Sequence, residues 1–508
     1  MMDYSQFLLM LPEATLVAVL IIVFFADLLM KGEGKTKSLG ILTTLLLCAQ
    51  LVPCFLAEPA EAFGGLYVTS PAVNVMKLIL TAGTIIVVIM SQTWLSAGCG
   101  IVNGQPSNNK YSGEYYMLIV STLLGMYVMM SSGHFLLFFL GLEMASVPMA
   151  CLAAFDKWKK ESAEAAAKYI LMATFSSGVM LFGISFIYAA TGTMYYGDIC
   201  SRLSQSYIFS PLMLMGLAFF FSGLGFKLSL VPFHFWTADT YQGAPTPVTG
   251  YLSVISKGAA ALTLLIVLVK AFAPMSQYYQ PMLWVVIILS ITVANLFAIR
   301  QKELKRFMAF SSISQAGYIM LAVIGNDFQM STASLIYYVL VYVVANLAVF
   351  TIIGAVEASP IPSEGGVTPP LRGGREGLTL MSAYNGFYKT NPKLSFLMTL
   401  ALFSLAGIPP FAGMFSKFFV FMAGVAGHEH APFWAYFVVF IALINTVVSL
   451  YYYLLIVKAM YIKSEESPLP TFKVNLDTKV ALALCTAGIV LFGIVSCIYD
   501  WIYASSIL

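Results

Sequence analysis

Charged residues are scarce in this 508-residue sequence. They make up 10% of it, and 60% of its residues are hydrophobic, whereas a soluble domain carries roughly 25% charged residues. A water-soluble fold cannot hide that much apolar surface. Repeated apolar stretches of roughly 20 residues, each long enough to cross a hydrocarbon core of about 30 Å, predict instead one continuous bundle of helices in a lipid bilayer.

Motifs for metals, redox centres and nucleotides are missing as well. The seven cysteines form no CxxC pair and no Cys/His cluster with the spacing of metal ligands. The sequence has neither a GxGxxG dinucleotide fingerprint nor a GxxxxGK[ST] phosphate loop. We therefore expect no cofactor and no metal in this chain. If redox chemistry or hydrolysis is involved, we expect a partner to perform it.

The apolar segments predict an all-α integral membrane protein with about fourteen transmembrane helices. The first segment is too long for a signal-peptide core and lacks a small-residue cleavage site, so we expect it to be retained as a helix. The predicted helices cover residues 7–30, 38–57, 72–92, 115–131, 134–154, 163–190, 211–235, 245–271, 281–299, 305–325, 330–357, 394–425, 433–463 and 478–504.

Basic residues test this helix count independently, because cytoplasmic loops collect Lys and Arg. Nineteen of the 26 basic residues fall in alternate loops, two fall in the opposite loops, and five lie at or inside helices. A miscounted helix would scramble this asymmetry. The pattern predicts a cytoplasmic loop at 358–393 and places both termini on the outer, periplasmic side.

The seventh and twelfth predicted helices contain helix-breaking residues at corresponding places. The seventh has SGLGFKLSLVPFHFW around Lys227, and the twelfth has SLAGIPPFAGMFSKFF, which includes Lys417. We expect breaks near Pro232 and across 407–413. The two helices are five apart and so cross in opposite directions, which favours two inverted five-helix repeats with ion sites at the breaks. The predicted division of the single membrane domain 1–508 is helices 1 to 3 at 1–114, a first repeat at 115–271, a second repeat at 281–463 and the last helix at 478–504.

A few charges are predicted at membrane depth. Glu143 lies nine residues into its helix and Lys257 about twelve, or roughly 14 Å and 18 Å at 1.5 Å per residue, so both are expected near the middle of the bilayer. A charge there costs on the order of 3 kcal/mol even on lenient insertion scales. Burial disfavours the charged form of lysine and a nearby carboxylate favours it. Glu143, Lys227, Lys257 and Lys417 are therefore candidate proton carriers.

The same charges have a structural alternative, which is ion pairing between helices. Lys168 and Lys458 are placed near helix ends, where long side chains reach the membrane surface.

His234 is either a candidate proton relay or a structural histidine. The first role is open to it because its reference pKa is close to physiological pH. The role of Lys77, in the third predicted helix, stays open. The serines and Gln315 of SSISQAGY either line a water wire or bond helices together.

Several segments resemble a known family. They are FFLGLEMASVPMACLAAF, EAAAKYILMATFSSGVMLFGISFIYAATGT, FKLSLVPFHFWTADTYQGAPTPVTGYLSVISKGAA, KRFMAFSSISQAGY and LFSLAGIPPFAGMFSKFFVF. Together they resemble the subunit N family of antiporter-like subunits of proton-pumping NADH:quinone oxidoreductase, respiratory complex I. The motifs span the fifth to twelfth predicted helices, and the general pattern covers nearly the whole chain.

The resemblance implies a proton channel with a Glu143–Lys227 pair, a central Lys257 and a terminal Lys417. Subunit M of the same complex has a glutamate at the position that matches Lys417, and subunit L carries a long lateral C-terminal helix that is not expected here. This sequence differs from the usual family pattern at two positions of the segment WTADTYQGAPTP. The family usually has Pro where this chain has Ala238 and Glu where it has Gln242. The family also often has His where this chain has Gln315, which puts a proton relay through that position in doubt.

The expected function is proton translocation in a multisubunit oxidoreductase. The resemblance implies that NADH, flavin, iron–sulfur clusters and quinone belong to partner subunits, and that this chain contains no redox centre. Expected partners are an M-type neighbour, small membrane subunits, the peripheral redox arm through the complex, and the lipid bilayer, with no nucleic acid. The expected location is the bacterial inner membrane.

Other functions remain open at this point. One alternative is a subunit of a multisubunit Na⁺/H⁺ antiporter, which resembles the same superfamily and needs no redox partner. The others are a solute carrier with a substrate site at mid-membrane and a purely structural scaffold. The scaffold alternative predicts that the buried lysines can be lost without consequence.

Overall fold

Helices form nearly all of the described structure. The computed structural model describes residues 4–32, 34–96, 101–102, 105–106, 111–157, 159–205, 210–359, 361–363, 366–368, 378–427, 432–463 and 469–508. Much of the predicted cytoplasmic loop 358–393 lies outside these ranges. In the described residues, twelve helices are long and apolar enough to cross a membrane. The predicted all-α membrane fold is confirmed, and the total of fourteen crossings stays a prediction.

The helices are numbered in chain order. They are α1 Leu11–Leu29, α2 Lys35–Leu56, α3 Pro71–Ser96, α4 Ser112–Met130, α5 Phe135–Ala153, α6 Lys160–Thr191, α7 Tyr196–Ser204, α8 Pro211–Leu228, α9 Phe235–Gly243, α10 Thr246–Lys270, α11 Ser276–Ile299, α12 Leu304–Val323, α13 Phe328–Glu357, α14 Phe387–Thr390, α15 Pro392–Ala406, α16 Ala412–Val425, α17 Pro432–Tyr461, α18 Leu476–Ile494 and α19 Cys497–Ala504. Short 3₁₀ segments lie at Tyr4–Met10, Ala273–Met275 and Met381–Tyr384.

Within the described ranges, three short antiparallel hairpins lie between helices. Their strands are β1 Ala60–Ala62 with β2 Tyr67–Thr69, β3 Ile101–Val102 with β4 Gln105–Pro106, and β5 Ile361–Ser363 with β6 Gly366–Thr368. In the first hairpin Ala60 pairs with Thr69 and Ala62 with Tyr67. This hairpin leads the chain from α2 into α3.

Both predicted helix breaks are present. The seventh predicted helix, 211–235, is regular only as α8 to Leu228; residues 229–234 interrupt it, and a second half-helix, α9, continues beyond its predicted end. The twelfth is divided into α15 and α16 by residues 407–411. The two helices that precede the breaks, α8 and α15, end in the same way. Ser229 and Gly407 both have positive φ, and the next N–H in each case bonds to the carbonyl five residues back. This is the Schellman pattern, which satisfies the free carbonyls of a helix end. The likeness supports the inverted repeats, which stay a prediction.

The last predicted helix is also interrupted, which the sequence reasoning missed. Residues 478–504 were expected to form one helix, but α18 ends at Ile494 and α19 begins at Cys497. Val495 adopts an extended conformation between them. No proline marks this point, so the apolar pattern alone predicted continuity.

Three helices form the centre of the bundle. About nine-tenths of the apolar stretches of α3, α10 and α13 are buried, whereas only about a third of those of α1, α2, α17 and α18 are. The three central helices pack against one another. Because α10 carries Lys257, this lysine lies at the centre of the protein and far from lipid.

Close packing of α4 against α5 fixes the position of Glu143. A methyl group at Gly141 would stand 2.4 Å from the backbone nitrogen of Met129, and backbone cannot move aside as a flexible side chain does. We expect Gly141→Ala to force the two helices apart and to lower the free energy of unfolding by about 1–3 kcal/mol. Thermal unfolding of the purified protein measures this. The control is Gly178→Ala, where a methyl group meets nothing within 4 Å; equal stability of the two variants would contradict the packing argument.

Candidate functional site

Lys227 lies in the last turn of α8, directly before the first helix break. It is 4% exposed, and its Nζ donates a hydrogen bond of 2.9 Å to Oγ of Ser146 on α5. The C-terminal end of a helix carries a partial negative charge, which favours an ammonium group there. A cavity of about 10 Å³ between α5, α6 and α8 is lined by Ser146, Ser176 and Lys227. This is room for a single water molecule.

Glu143, the predicted partner of Lys227, precedes Ser146 by one turn of α5. The carboxylate interacts electrostatically with Lys227, but among the described residues the two form no ion pair within 4.0 Å. One carboxylate oxygen, Oε1, is buried without a hydrogen-bond partner. Glu143 itself is half-buried, on the side of α5 that exposes Leu140 and Val147. Ser146 therefore makes the direct contact, and the Glu143–Lys227 pair stays a prediction.

Lys257 is held by hydroxyl groups at the centre of the bundle. It is 1% exposed, and its Nζ donates a hydrogen bond of 2.6 Å to Oγ of Ser312 on α12. The same ammonium lies 5.6 Å from the ring centroid of Tyr241, whose hydroxyl is 3.4 Å from Ser312 Oγ. No carboxylate in the described structure forms an ion pair with Lys257.

Lys417 lies on α16, just after the second helix break. It is 4% exposed, and its Nζ donates a hydrogen bond of 2.9 Å to the carbonyl of Ala406, the last residue of α15. The ring centroid of Tyr318 lies 4.9 Å from the ammonium. The break thus supplies the lysine with a carbonyl at the negative end of a half-helix.

Polar side chains connect the surroundings of Lys257 and Lys417. Ser311, next to Ser312, shares a hydrogen bond of 2.5 Å with the Tyr453 hydroxyl. Gln315 Nε2 donates to the same hydroxyl at 3.3 Å, and Gln315 Oε1 accepts from the Tyr338 hydroxyl. Gln315 and Tyr338 in turn line a cavity of about 10 Å³ beside Lys417. A carboxamide does not take up a proton near neutral pH, so Gln315 orients hydroxyl groups where a histidine would titrate.

His234 lies apart from these lysines. It is 7% exposed, at the N-cap of α9, and its Nδ1 has no hydrogen-bond partner. Its ring lines an apolar cavity of about 630 Å³ with Val231, Phe297 and Arg306. None of Lys227, Lys257 and Lys417 lines that cavity. The structure therefore places Lys257 and Lys417 beside two groups of polar side chains that meet at the adjacent residues Ser312 and Ser311, with no hydrogen bond between these two hydroxyls in the described structure, and it brings His234 to neither group.

Sequence reasoning missed the tyrosines at 241, 338 and 453, because tyrosine is common in apolar helices and carries no signal of its own. A better signal was the SSISQAGY segment, because its Ser311, Ser312 and Gln315 make these hydrogen bonds. Sequence reasoning also counted Lys305 among the cations of the cytoplasmic loops. Lys305 is instead 5% exposed and donates to the Ala244 carbonyl at 2.7 Å.

Lys168 belongs to a charged cluster near the start of α6. Its Nζ lies 2.6 Å from Glu164 and 2.7 Å from Asp239, and Arg306 contacts the other oxygen of Asp239 at 2.6 Å. Arg306 also donates to Gln242. The cluster ties α9 to α6 and α12. Over the described ranges, no group of three or more His, Cys, Asp or Glu residues is arranged to hold a metal ion.

Comparisons with known proteins identify the family. A family model described as "NADH:quinone oxidoreductase/Mrp antiporter, TM" matches residues 132–449. The NADH-quinone oxidoreductase subunit N of Phocaeicola vulgatus is 52% identical over 507 residues, which cover 100% of both chains. This chain belongs to the subunit N family of NADH-quinone oxidoreductase. As a member of that family, it is a proton-translocating membrane subunit.

Solved structures agree with this family. A chain of respiratory complex I from Thermus thermophilus is 29% identical, with a TM-score of 0.72 and coverage of 95% of this chain and 98% of that one. A chain of the Mrp complex from Dietzia sp. DQ12-45-1b is 17% identical, with a TM-score of 0.79 and coverage of 99% and 97%. At that identity the second match shows a shared fold only.

The polar side chains between Lys257 and Lys417 predict different roles for two buried tyrosines. We expect Tyr453→Phe to lower the rate of proton pumping several-fold, because it removes the hydroxyl that joins Ser311 to Gln315. The matched control is Tyr337→Phe, since the Tyr337 hydroxyl also belongs to a buried residue but donates to the backbone carbonyl of Phe492, away from these side chains. Pumping by membrane vesicles that contain each assembled variant measures the effect. Equal pumping by both variants would show that these side chains carry no protons.

Proposed function

We propose that Lys227, Lys257 and Lys417 carry protons through this subunit and that Glu143 controls the first of them. One observation supports this most strongly. Each lysine is at most 4% exposed, and each ammonium is held by a hydroxyl or a carbonyl without an ion pair to a carboxylate in the described structure. A buried charge without an ionic partner is readily neutralised by loss of its proton.

The first step concerns Glu143 and Lys227. Glu143 lies on the outward side of α5, where charges on a neighbouring subunit can reach it. We infer that quinone reduction in partner subunits shifts a charge or a helix near this residue and weakens its attraction for Lys227. The Lys227 ammonium then releases its proton more easily, because only the hydroxyl of Ser146 holds it directly.

The later steps follow the polar side chains between Lys257 and Lys417. We infer that a proton that reaches Lys257 leaves by way of Ser312, which holds the ammonium, and that rotation of the serine hydroxyls carries it to the Ser311–Tyr453 pair, because no hydrogen bond joins Ser312 to Ser311 in the described structure. Gln315 takes up no proton itself. It orients the hydroxyls of Tyr453 and Tyr338, and Gln315 and Tyr338 line the water-sized cavity beside Lys417 that carries the last step. Release from Lys417 toward the outer surface completes the path.

The partners follow from the family. We propose that NADH, flavin, iron–sulfur clusters and quinone are held by other subunits of the complex, through which the peripheral redox arm acts on this chain. An M-type antiporter-like subunit and small membrane subunits are the proposed direct neighbours. The proposed location is the bacterial inner membrane with both termini periplasmic, and the distribution of Lys and Arg supports it.

The fold shared with an Mrp complex keeps one alternative function testable. A subunit of a Na⁺/H⁺ antiporter would exchange sodium for protons without NADH. Purified assemblies in sealed vesicles distinguish the two functions. Proton uptake driven by NADH and quinone supports the proposed function, and sodium-driven exchange with no response to NADH would overturn it.

Replacement of Lys227 tests the relay at its first lysine. We expect Lys227→Ala to abolish proton pumping while the complex stays assembled, because alanine leaves no group that can hold the proton. Pumping driven by NADH and quinone in vesicles measures this, and subunit composition after purification reports assembly. The control is Lys458→Ala, which removes an exposed lysine near the cytoplasmic end of α17. Loss of assembly in Lys227→Ala alone would instead support a structural role.

Substitutions at Lys417 distinguish a lysine that releases protons from one that only supplies a positive charge. We expect Lys417→Arg to impair pumping although it keeps the positive charge, because a guanidinium with a pKa above about 12 does not release its proton during turnover. Lys417→Glu titrates and is expected to retain more activity. A structural role predicts the opposite order, with arginine tolerated and glutamate harmful. Normal pumping by the assembled arginine variant would remove Lys417 from the path.

A further inference from the structure

A second set of buried charges lies outside the three-lysine relay. Nζ of Lys77 on α3 is 2.6 Å from Oε1 of Glu13 on α1. Lys77 is fully buried and Glu13 is 3% exposed. Both residues lie within two turns of the start of their helices. That end of the bundle is the periplasmic one by the distribution of basic loops.

Hydroxyl groups surround the pair on two sides. On the outer side, Glu13 accepts hydrogen bonds from the Tyr67 hydroxyl at 3.0 Å and from Ser131 Oγ at 3.2 Å. On the inner side, the Tyr127 hydroxyl donates to the Lys77 carbonyl at 3.2 Å and also contacts Thr81. Cys54 Sγ is 3.2 Å from the same Tyr127 hydroxyl.

The outer hydroxyls lead to a large pocket. Ser131 is followed by Ser132, whose Oγ is 3.1 Å from the Tyr196 hydroxyl. Ser132 and Tyr196 both line an open pocket of about 530 Å³, together with the acidic side chains of Glu61 and Asp198. No hydrogen bond joins the Ser131 and Ser132 hydroxyls in the described structure, but the two adjacent residues place the ion pair close to this pocket. A pair that only held α1 against α3 would not need this closeness to a pocket. In addition, well-packed apolar residues often stabilise a protein as well as a buried ion pair does.

We propose that Glu13 and Lys77 form a proton-exchange site that opens to the periplasmic surface through this pocket. In the step itself, the Lys77 ammonium gives its proton to the Glu13 carboxylate across their 2.6 Å contact, which leaves an amine and a carboxylic acid. The acid then loses that proton to water in the pocket, on the side where Ser131 bonds to Glu13 and the next residue, Ser132, lines the pocket. The carboxylate is restored, and the amine accepts the next proton from inside the bundle.

The protons that Lys77 accepts from inside the bundle come from the side of Lys257. Helix α3 packs directly on α10, with Leu80 against Gly258 and Gly83 against Ile255. Lys77 therefore lies one turn closer to the periplasm than the level of Lys257, on the adjacent helix. This inference rests on the proposed function, because protons reach Lys77 only if they first reach Lys257.

Two variants of the assembled complex in sealed vesicles test the site. Lys77→Arg keeps the ion pair but cannot release its proton, and Glu13→Gln/Lys77→Gln keeps polar contacts without charge. We expect both to assemble and to translocate fewer protons per NADH oxidised than the unmodified complex. The matched control is Asp27→Asn/Lys35→Gln, which neutralises an ion pair of 2.8 Å that is about one-fifth exposed. The control is expected to pump normally.

Each other outcome overturns the inference. An unchanged proton count in both assembled variants would show that the pair exchanges no protons. Failure of both variants to assemble would show that the pair holds the helices together. Lys257→Met in the same vesicles tests the underlying relay separately. If Lys257→Met lowers pumping and Lys77→Arg does not, only the periplasmic site is wrong; if Lys257→Met pumps normally, the three-lysine relay is wrong.

Discussion

The structure depends on one constraint. A membrane protein has to hold a lysine ammonium group in its interior, and it has to do so without a partner that would keep the group permanently charged. Lys227 is paired with a serine hydroxyl, Lys257 with another, and Lys417 with a backbone carbonyl. Such partners favour the charged form less than a direct carboxylate does. Each lysine is therefore held in the interior without an ion pair to a carboxylate in the described structure, and we propose that it can lose its proton for this reason. The helix breaks provide two of these positions, because they end a half-helix in mid-membrane and place its negative end beside a lysine.

The bundle around these positions is built to keep them dry and ordered. Helix α10 is almost entirely buried between α3 and α13, so Lys257 meets only protein groups. The cavities beside Lys227 and Lys417 each have room for about one water molecule. We propose that protons move between fixed hydroxyls and single waters in this narrow space, so that small changes in side-chain position decide whether the path is connected. Control by a distant redox reaction is physically reasonable in such a site, because a shift of one charge near Glu143 is little screened there.

Much of this arrangement could be predicted from the sequence. Apolar length positions the helices, glycine and proline mark the two breaks, and a charge inside an apolar stretch stands out at once. What could not be predicted depends on the rotation of each helix about its axis. Ser146, and not Glu143, makes the direct contact with Lys227, because Glu143 lies on the half-exposed side of α5 with Leu140 and Val147. No sequence pattern singled out Glu13, and only the packing of α1 on α3 shows its contact with Lys77. The break at Val495 has no proline to announce it.

The central claim is that the buried lysines change their protonation during turnover. Nitrogen-15 NMR of the assembled complex with labelled lysines in this chain measures it directly, since ammonium and amine nitrogens give separate signals. Lysine-to-methionine variants at 227, 257 and 417 assign them. We expect these three signals to change between ammonium and amine when NADH and quinone are supplied, while exposed lysines such as Lys458 do not respond. Three lysines that remain ammonium throughout turnover would contradict the account.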